Sequence, residues 1–221
     1  MRRLHTTSYS NRAPQYLRDM KQQRSLRLPH ECRPLRAVAF DLDSTLTRPY
    51  LDFTRLRQQL NLPEGDILQW LEGLSPHRRN EATQIIEAFE QEGVENVTWN
   101  DDAQETVEAV RALGLPMAIV TRNSRTSLLA VCKRLAIAVD QLVAREDAPP
   151  KPHPACLQYA AEKLAVPIGQ LVMVGDYRHD TEAGKAAGAM TVLLTNGKTP
   201  TWNVSADLVI EQLSELLAHI E

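Results

Sequence analysis

Beyond residue 36 the chain alternates between short apolar runs and amphipathic stretches. Apolar runs of strand length fall at Ala37–Phe40, Pro116–Val120, Gln141–Ala144, Leu171–Val174 and Met190–Leu194. They are continuous rather than alternating, as in strands covered on both faces. Between them lie helical patterns. Asp101–Leu113 carries Val107, Val110 and Leu113 on one face and stops at Gly114. Ser124–Leu135, His153–Leu164 and Thr181–Gly188 come after the second, third and fourth runs, and Leu213–Ile220 closes the chain. This spacing predicts an α/β fold built on a doubly wound parallel sheet.

One interval breaks the rhythm. Residues 49–99 hold no strand run and read as helices at Asp52–Leu60, Glu64–Leu71 and Arg79–Gln91, punctuated by Pro63, Gly65, Gly73, Pro76 and Gly93. That is too much chain for a single crossover, so it is expected to be a small all-helical insert. The expected organisation is a basic extension over residues 1–36, an α/β core from 37–48 and 100–221, and the insert over 49–99.

Charge changes the picture only at the N-terminus. Residues 1–36 hold nine Lys/Arg against two Asp/Glu, while the whole chain of 221 residues carries a net −3. The remainder is therefore acidic, which argues against a nucleic-acid groove. The basic stretch loosely matches organelle transit-peptide composition; the reading adopted is a tail that packs partly on the body. No run of about 18 apolar residues is present, so no membrane span is expected. Three well-separated cysteines, Cys32, Cys132 and Cys156, form no CxxC pair and suggest neither a disulfide framework nor a zinc site. A reducing cytoplasm fits best.

Parallel α/β sheets bind ligands at the carboxyl ends of their strands. The first run ends in Asp41 and Asp43, the second in Thr121-Arg122-Asn123-Ser124. A short loop after the third carries Lys151 between prolines, and the fourth leads to Asp176 and Asp180. Four carboxylates on one rim repel one another unless a cation holds them. Hard oxygen ligands with few His or Cys nearby suit Mg²⁺. Lys151, the Thr121 hydroxyl and a helix starting near Ser124 would hold an anion, for which phosphate is the natural guest. Asp41 and Asp43, two apart on an extended segment, would face the same way.

The set D-x-D-S-T at Asp41–Thr45, Thr121 after an apolar strand, K-P-x-P at Lys151–Pro154 and G-D-x-x-x-D at Gly175–Asp180 resembles the haloacid dehalogenase superfamily. The continuation DTEAGKAAGA is similar to its phosphoglycolate-phosphatase-like members. The resemblance spans roughly residues 37–197 and identifies the insert with the family's helical cap. It implies a Mg²⁺-dependent phosphatase acting on a small phosphorylated metabolite, phosphoglycolate-like or a sugar phosphate. Asp41 is then the nucleophile and Asp43 the general acid/base, its backbone carbonyl also facing the metal. Thr121 and Asn123 bind phosphate, and Lys151 balances the charge on nucleophile and phosphoryl oxygens. Asp176 ligates the metal directly, and Asp180 acts through a water or orients Lys151. Asp43 favours phosphoryl transfer over displacement of halide, whose D-x-Y pattern lacks it. Ser44 stands where many relatives have Gly.

Two alternatives stay open: a phosphosugar mutase using the same aspartates, and a non-catalytic binding module on the same fold. Taken singly, Thr121 also reads as a turn or helix N-cap, and Asp180 as an N-cap near Thr181. His77, Arg78 and Arg79 read as a solvated basic turn or as reaching an acidic substrate group from above. Trp70 and Phe89 read as core of the insert. The oligomeric state is not legible.

Overall fold

The computed structural model describes residues 24–62 and 64–221; residues 1–23 of the basic extension lie outside these. The first described element is a hairpin, β1 (Arg24–Arg27) and β2 (Cys32–Leu35), antiparallel. Its two leucines, Leu26 and Leu35, are fully buried in the main core. Ser25 and Glu221 exchange backbone hydrogen bonds of 3.1 and 3.0 Å, tying the hairpin to the chain's last residue.

The core sheet holds β3 (Ala37–Phe40), β4 (Met117–Val120), β5 (Gln141–Val143), β6 (Leu171–Gly175), β7 (Met190–Leu194) and β8 (Leu208–Ile210). Their order is β5-β4-β3-β6-β7-β8, with every neighbour parallel. Helices α4 (Ala103–Ala112), α5 (Arg125–Leu135), α6 (Ala155–Lys163), α7 (Arg178–Ala187) and α8 (Glu215–Ala218) complete it. The fold is thus the doubly wound α/β class. Strand order runs outward in both directions from β3, so the crevice at the end of β3 is where such a sheet binds ligands.

Every residue of β3, β4, β6 and β7 is buried, which explains their unbroken apolar runs. Alternate side chains nevertheless meet different partners. Val38, Phe40, Ile119 and Val174 join a cluster with Val107 and Val110 of α4 and Leu128 and Val131 of α5. Ala37, Ala39 and Ala118 join another, with Leu157 and Ala160 of α6 and Ala183 of α7. The second face carries alanines at its centre, beside the larger Val120, Leu171 and Met173. A Cβ on Gly184 of α7 would lie 2.4 Å from Thr191 Cγ2.

The insert consists of α1 (Phe53–Leu60), α2 (Ile67–Glu72) and α3 (Pro76–Val94). Leu56, Leu60, Leu71, Ile86 and Phe89 form its own apolar cluster, against which Trp70 packs. Asp52 caps α1 through the Arg55 N–H, and Asp66 caps α2 through the N–H groups of Leu68 and Gln69. The two connectors to the core run side by side through a Thr47–Trp99 bridge.

Three elements differ from the sequence reading. β8 is only three residues long and comes after a loop rich in turn residues, too short to register as a run. α3 begins at Pro76, since proline is welcome in a helix's first turn, and extends to Val94. α7 begins at Arg178 rather than Thr181, so Asp180 is its third residue and not its N-cap. From there its carboxylate accepts the Tyr177 N–H at 3.0 Å. No helix of the described residues is long and apolar enough to cross a membrane.

Candidate active site

The extended run of β3 ends at Asp41, whose N–H still bonds Val174 O at 2.8 Å. From Leu42 the chain coils. The Leu42 carbonyl accepts the N–H groups of Leu46 and Thr47, each at 3.0 Å. Both aspartates still line one cavity of about 570 Å³ between core and insert, but the turn, not a continuing strand, aims Asp43. Ser44 holds this turn with φ 62°, in the left-handed region that glycine enters freely. That is the physical reason a glycine suits the position. The Ser44 carbonyl accepts from Asn100 Nδ2 at 3.2 Å and Asn196 Nδ2 at 2.8 Å. These bonds pin the turn to two loops that no sequence motif singles out.

Asp41, Asp43, Asn123, Lys151, Asp176 and Asp180 all line the cavity. Lys151, itself 2% exposed, places Nζ 2.6 Å from Asp41 Oδ1 and 2.6 Å from Asp180 Oδ1. Asp180 Oδ2 is taken by the Tyr177 N–H, so both its oxygens are engaged within the protein. The fit is tight: a Cβ on Gly175 would sit 2.2 Å from Asp180 Cγ, so only glycine at the end of β6 leaves this carboxylate room. Asn123 Nδ2 donates to Asp43 Oδ2 at 2.7 Å. Asp43 Oδ1 is buried and finds no partner among the described residues. Thr121 is placed differently. It is buried at the end of β4, its hydroxyl oxygen accepts the Asn123 N–H at 3.1 Å, and it does not line the cavity.

Burial dominates the electrostatics. It pushes Asp176 up to about 8, reinforced by the neighbouring charges of Asp41 and Asp180. It pushes Asp41 up to about 7, although Lys151 pulls the other way. Asp43 rises to about 6, burial being partly offset by the nearby Tyr50 hydroxyl and the hydrogen bond from Asn123. For Lys151 burial would favour the neutral amine, but Asp180 and Asp41 more than reverse it and the ammonium is held firmly. One carboxylate oxygen from each of Asp41, Asp176 and Asp180 lies within 4.8 Å of the other two. Three acids around one lysine leave a surplus of negative charge. The hard oxygen donors suit a divalent cation of the Mg²⁺ type.

The insert contacts this floor through charged groups that carried no motif in the sequence. Arg122 Nη2 donates to both oxygens of Asp66, at 2.6 and 2.7 Å. Its Nη1 donates to the Lys151 carbonyl and lies 3.2 Å from His179 Nδ1. Burial, helped by Arg122, pushes His179 down to about 4, so its ring is neutral and accepts. At a second post, Glu90 of α3 accepts from Ser124 N at 3.1 Å and Ser124 Oγ at 2.6 Å, and pairs with Arg145. His77, Arg78 and Arg79 do not line the cavity. Arg79 instead bonds the carbonyls of Leu71 and Leu74 at the end of α2. Phe89 belongs to the insert's apolar cluster and also lines the cavity.

A family model for haloacid dehalogenase-like hydrolases matches residues 35–188. The chain belongs to this family. It is 30% identical over 173 residues to a haloacid dehalogenase-like hydrolase domain-containing protein of Arabidopsis thaliana, covering 72% of this chain and 71% of that one. It is 24% identical over 210 residues to the phosphoglycolate phosphatase of Chromobacterium violaceum, covering 82% and 95%. Among solved structures, a predicted phosphoglycolate phosphatase from Haemophilus somnus superposes with a TM-score of 0.67 at 22% identity, over 83% of this chain and 97% of that one. That likeness concerns the fold. Membership of the family makes the protein an enzyme of the hydrolase class.

Proposed function

We propose that this hydrolase is a phosphatase that releases inorganic phosphate from a small phosphate monoester, phosphoglycolate-like or a sugar phosphate, through an aspartyl-phosphate. Asp41 attacks phosphorus while Asp43 delivers a proton to the departing alkoxide, breaking the bond between phosphorus and the ester oxygen. Water then attacks the aspartyl-phosphate. Asp43 takes the water's proton, the bond to Asp41 breaks, and phosphate leaves. Asp43 suits both proton transfers, because burial holds it up to about 6, near neutrality. Its bond from Asn123 fixes one oxygen and leaves the other unpartnered among the described residues.

Lys151 steadies Asp41 and the phosphoryl oxygens, and Asp180 keeps its ammonium in place. Asp41 and Asp176, with the Asp43 carbonyl, would hold Mg²⁺, Asp180 standing behind with both oxygens engaged. When bound, the ion neutralises charge on the phosphoryl group and the carboxylates. Thr121 acts from below by positioning Asn123 through the Asn123 N–H. One observation carries the proposal above all others: Lys151 Nζ is 2.6 Å from both Asp41 and Asp180, inside a carboxylate cluster with an unmet charge.

The test is phosphate release from 4-nitrophenyl phosphate and a metabolite panel, with Mg²⁺ and with EDTA. Turnover that collapses in EDTA and returns with Mg²⁺ is the expected result. Full turnover in chelator removes the metal role, and isomerised product without free phosphate replaces the hydrolase with a mutase.

A further inference from the structure

Among the described residues, four arginines line the cavity. Arg57 bonds the Gly65 carbonyl and Arg178 lies over the Tyr177 ring, whereas Arg122 and Arg145 are each paired with an acid of the insert, and these two pairs differ in what separation would leave behind. Glu90 is 4% exposed. Taking Arg145 away would leave Glu90 Oε1 buried without its ion partner, only Oε2 keeping its bonds from Ser124, which is strongly unfavourable at such burial. Asp66 accepts from Leu68 N at 2.9 Å and Gln69 N at 3.0 Å as the cap of α2. It keeps both bonds when Arg122 leaves. Arg122 for its part keeps the Lys151 carbonyl, and its side chain is 24% exposed to the cavity. The fork of a guanidinium matches a carboxylate through two parallel bonds, and Asp66 occupies that fork in just this way. The Lys151 carbonyl ties the fork to the residue whose ammonium touches Asp41.

We infer that Arg122 is the receptor for a second, carboxylate-bearing end of the substrate, and that Asp66 fills its fork until such a substrate displaces it. The inference rests on the phosphatase reading and narrows its substrate class to phosphate monoesters whose alcohol part carries a carboxylate. The Arg122–Asp66 pair then selects for a diacid at the expense of esters with a neutral leaving group.

Opposite effects from the two partners distinguish a receptor from a strut. The measurement is kcat and KM for 2-phosphoglycolate and for 4-nitrophenyl phosphate, in Asp66→Asn and Arg122→Gln. Asparagine caps a helix as well as aspartate does, so α2 is retained in Asp66→Asn. The preference for phosphoglycolate, as the ratio of the two kcat/KM values, is expected to rise about threefold in Asp66→Asn, through KM. It is expected to fall at least about tenfold in Arg122→Gln, the equivalent of 1.4 kcal/mol. Arg122→Lys, which keeps the charge but loses the fork, is expected to fall between wild type and Arg122→Gln. A strut would lower turnover of both esters together in either variant; that result, or a lower preference in Asp66→Asn, overturns the inference and leaves the phosphatase standing. Failure of the unmodified protein to release phosphate from either ester overturns the phosphatase reading itself, and the receptor role with it.

Discussion

The floor of the cavity and its roof hold charge in opposite ways. On the floor, Asp41, Asp43 and Asp176 are buried with too few cations, and each carboxyl is pushed up by that burial. In the roof, the helical insert has an apolar cluster of its own, and its acids facing the core are matched: Asp66 by Arg122, Glu90 by Arg145 and Ser124. The floor therefore carries an electrostatic cost, burial first and mutual repulsion second, that a cation can relieve, whereas the roof's charges hold two parts of the chain together. Removing a charge should stabilise the first region and damage the second.

The sharpest break in this comparison is Asp41→Asn. Loss of the proposed nucleophile is expected to lower kcat by about 10⁴-fold or more, with the far-ultraviolet dichroism unchanged. Residual activity within tenfold of wild type would remove Asp41 from the chemistry. Next comes Glu90→Ala, which leaves the Arg145 side chain, 11% exposed, without its main partner. Urea unfolding should show a loss of about 3–5 kcal/mol, as for other broken buried pairs.

Asp176→Asn should act in the other direction. In chelator it is expected to gain about 1 kcal/mol of stability while losing activity, the trade expected of a strained functional site. The sign comes from the raised carboxyls. The unfolded chain releases these protons near the ordinary value of 3.8, the folded chain only near 7 for Asp41 and 8 for Asp176. Stability without metal should therefore fall as pH rises from about 4 towards 8, and added Mg²⁺ should flatten that slope. A rise over the same window would show that folding does not raise these carboxyls. The smallest effect belongs to Ser44→Gly, which relieves a left-handed serine and should add about 0.5–1 kcal/mol to stability, read as a small upward shift of the thermal midpoint.

How much of this was legible in the sequence depends on whether a feature is local. The strands Ala37–Phe40 and Met190–Leu194 have the bounds their apolar runs predict, because complete burial writes itself into consecutive residues. In β8 the run is only three residues long, and the hairpin from Arg24 to Leu35 carries none, its leucines being single and spaced. Motif residues at strand ends do converge on one cavity, since a parallel sheet brings its carboxyl ends together whatever the loops do. Thr121 is the exception: its hydroxyl oxygen receives the Asn123 N–H and it does not line the cavity. Tyr50, Asp66, Glu90, Asn100 and Asn196 gave no signal at all. Each is a lone polar residue with a partner dozens of positions away, Tyr50 standing also beside Asp43, seven positions off, and only the assembled insert and core make them useful.

The alanine-lined face of the sheet reaches further than packing. Lys151 lies shortly before α6, which packs on β3 and β4 where Ala39 and Ala118 lie, and Asp180 is in the first turn of α7, which packs on β6 and β7. Small side chains beneath α6 are therefore expected to bear on where the loop before that helix holds the ammonium against Asp41. A single extra pair of methyl groups at Ala39, hidden well beneath the site, would lift the lysine's platform and detune the enzyme without touching any group that reacts.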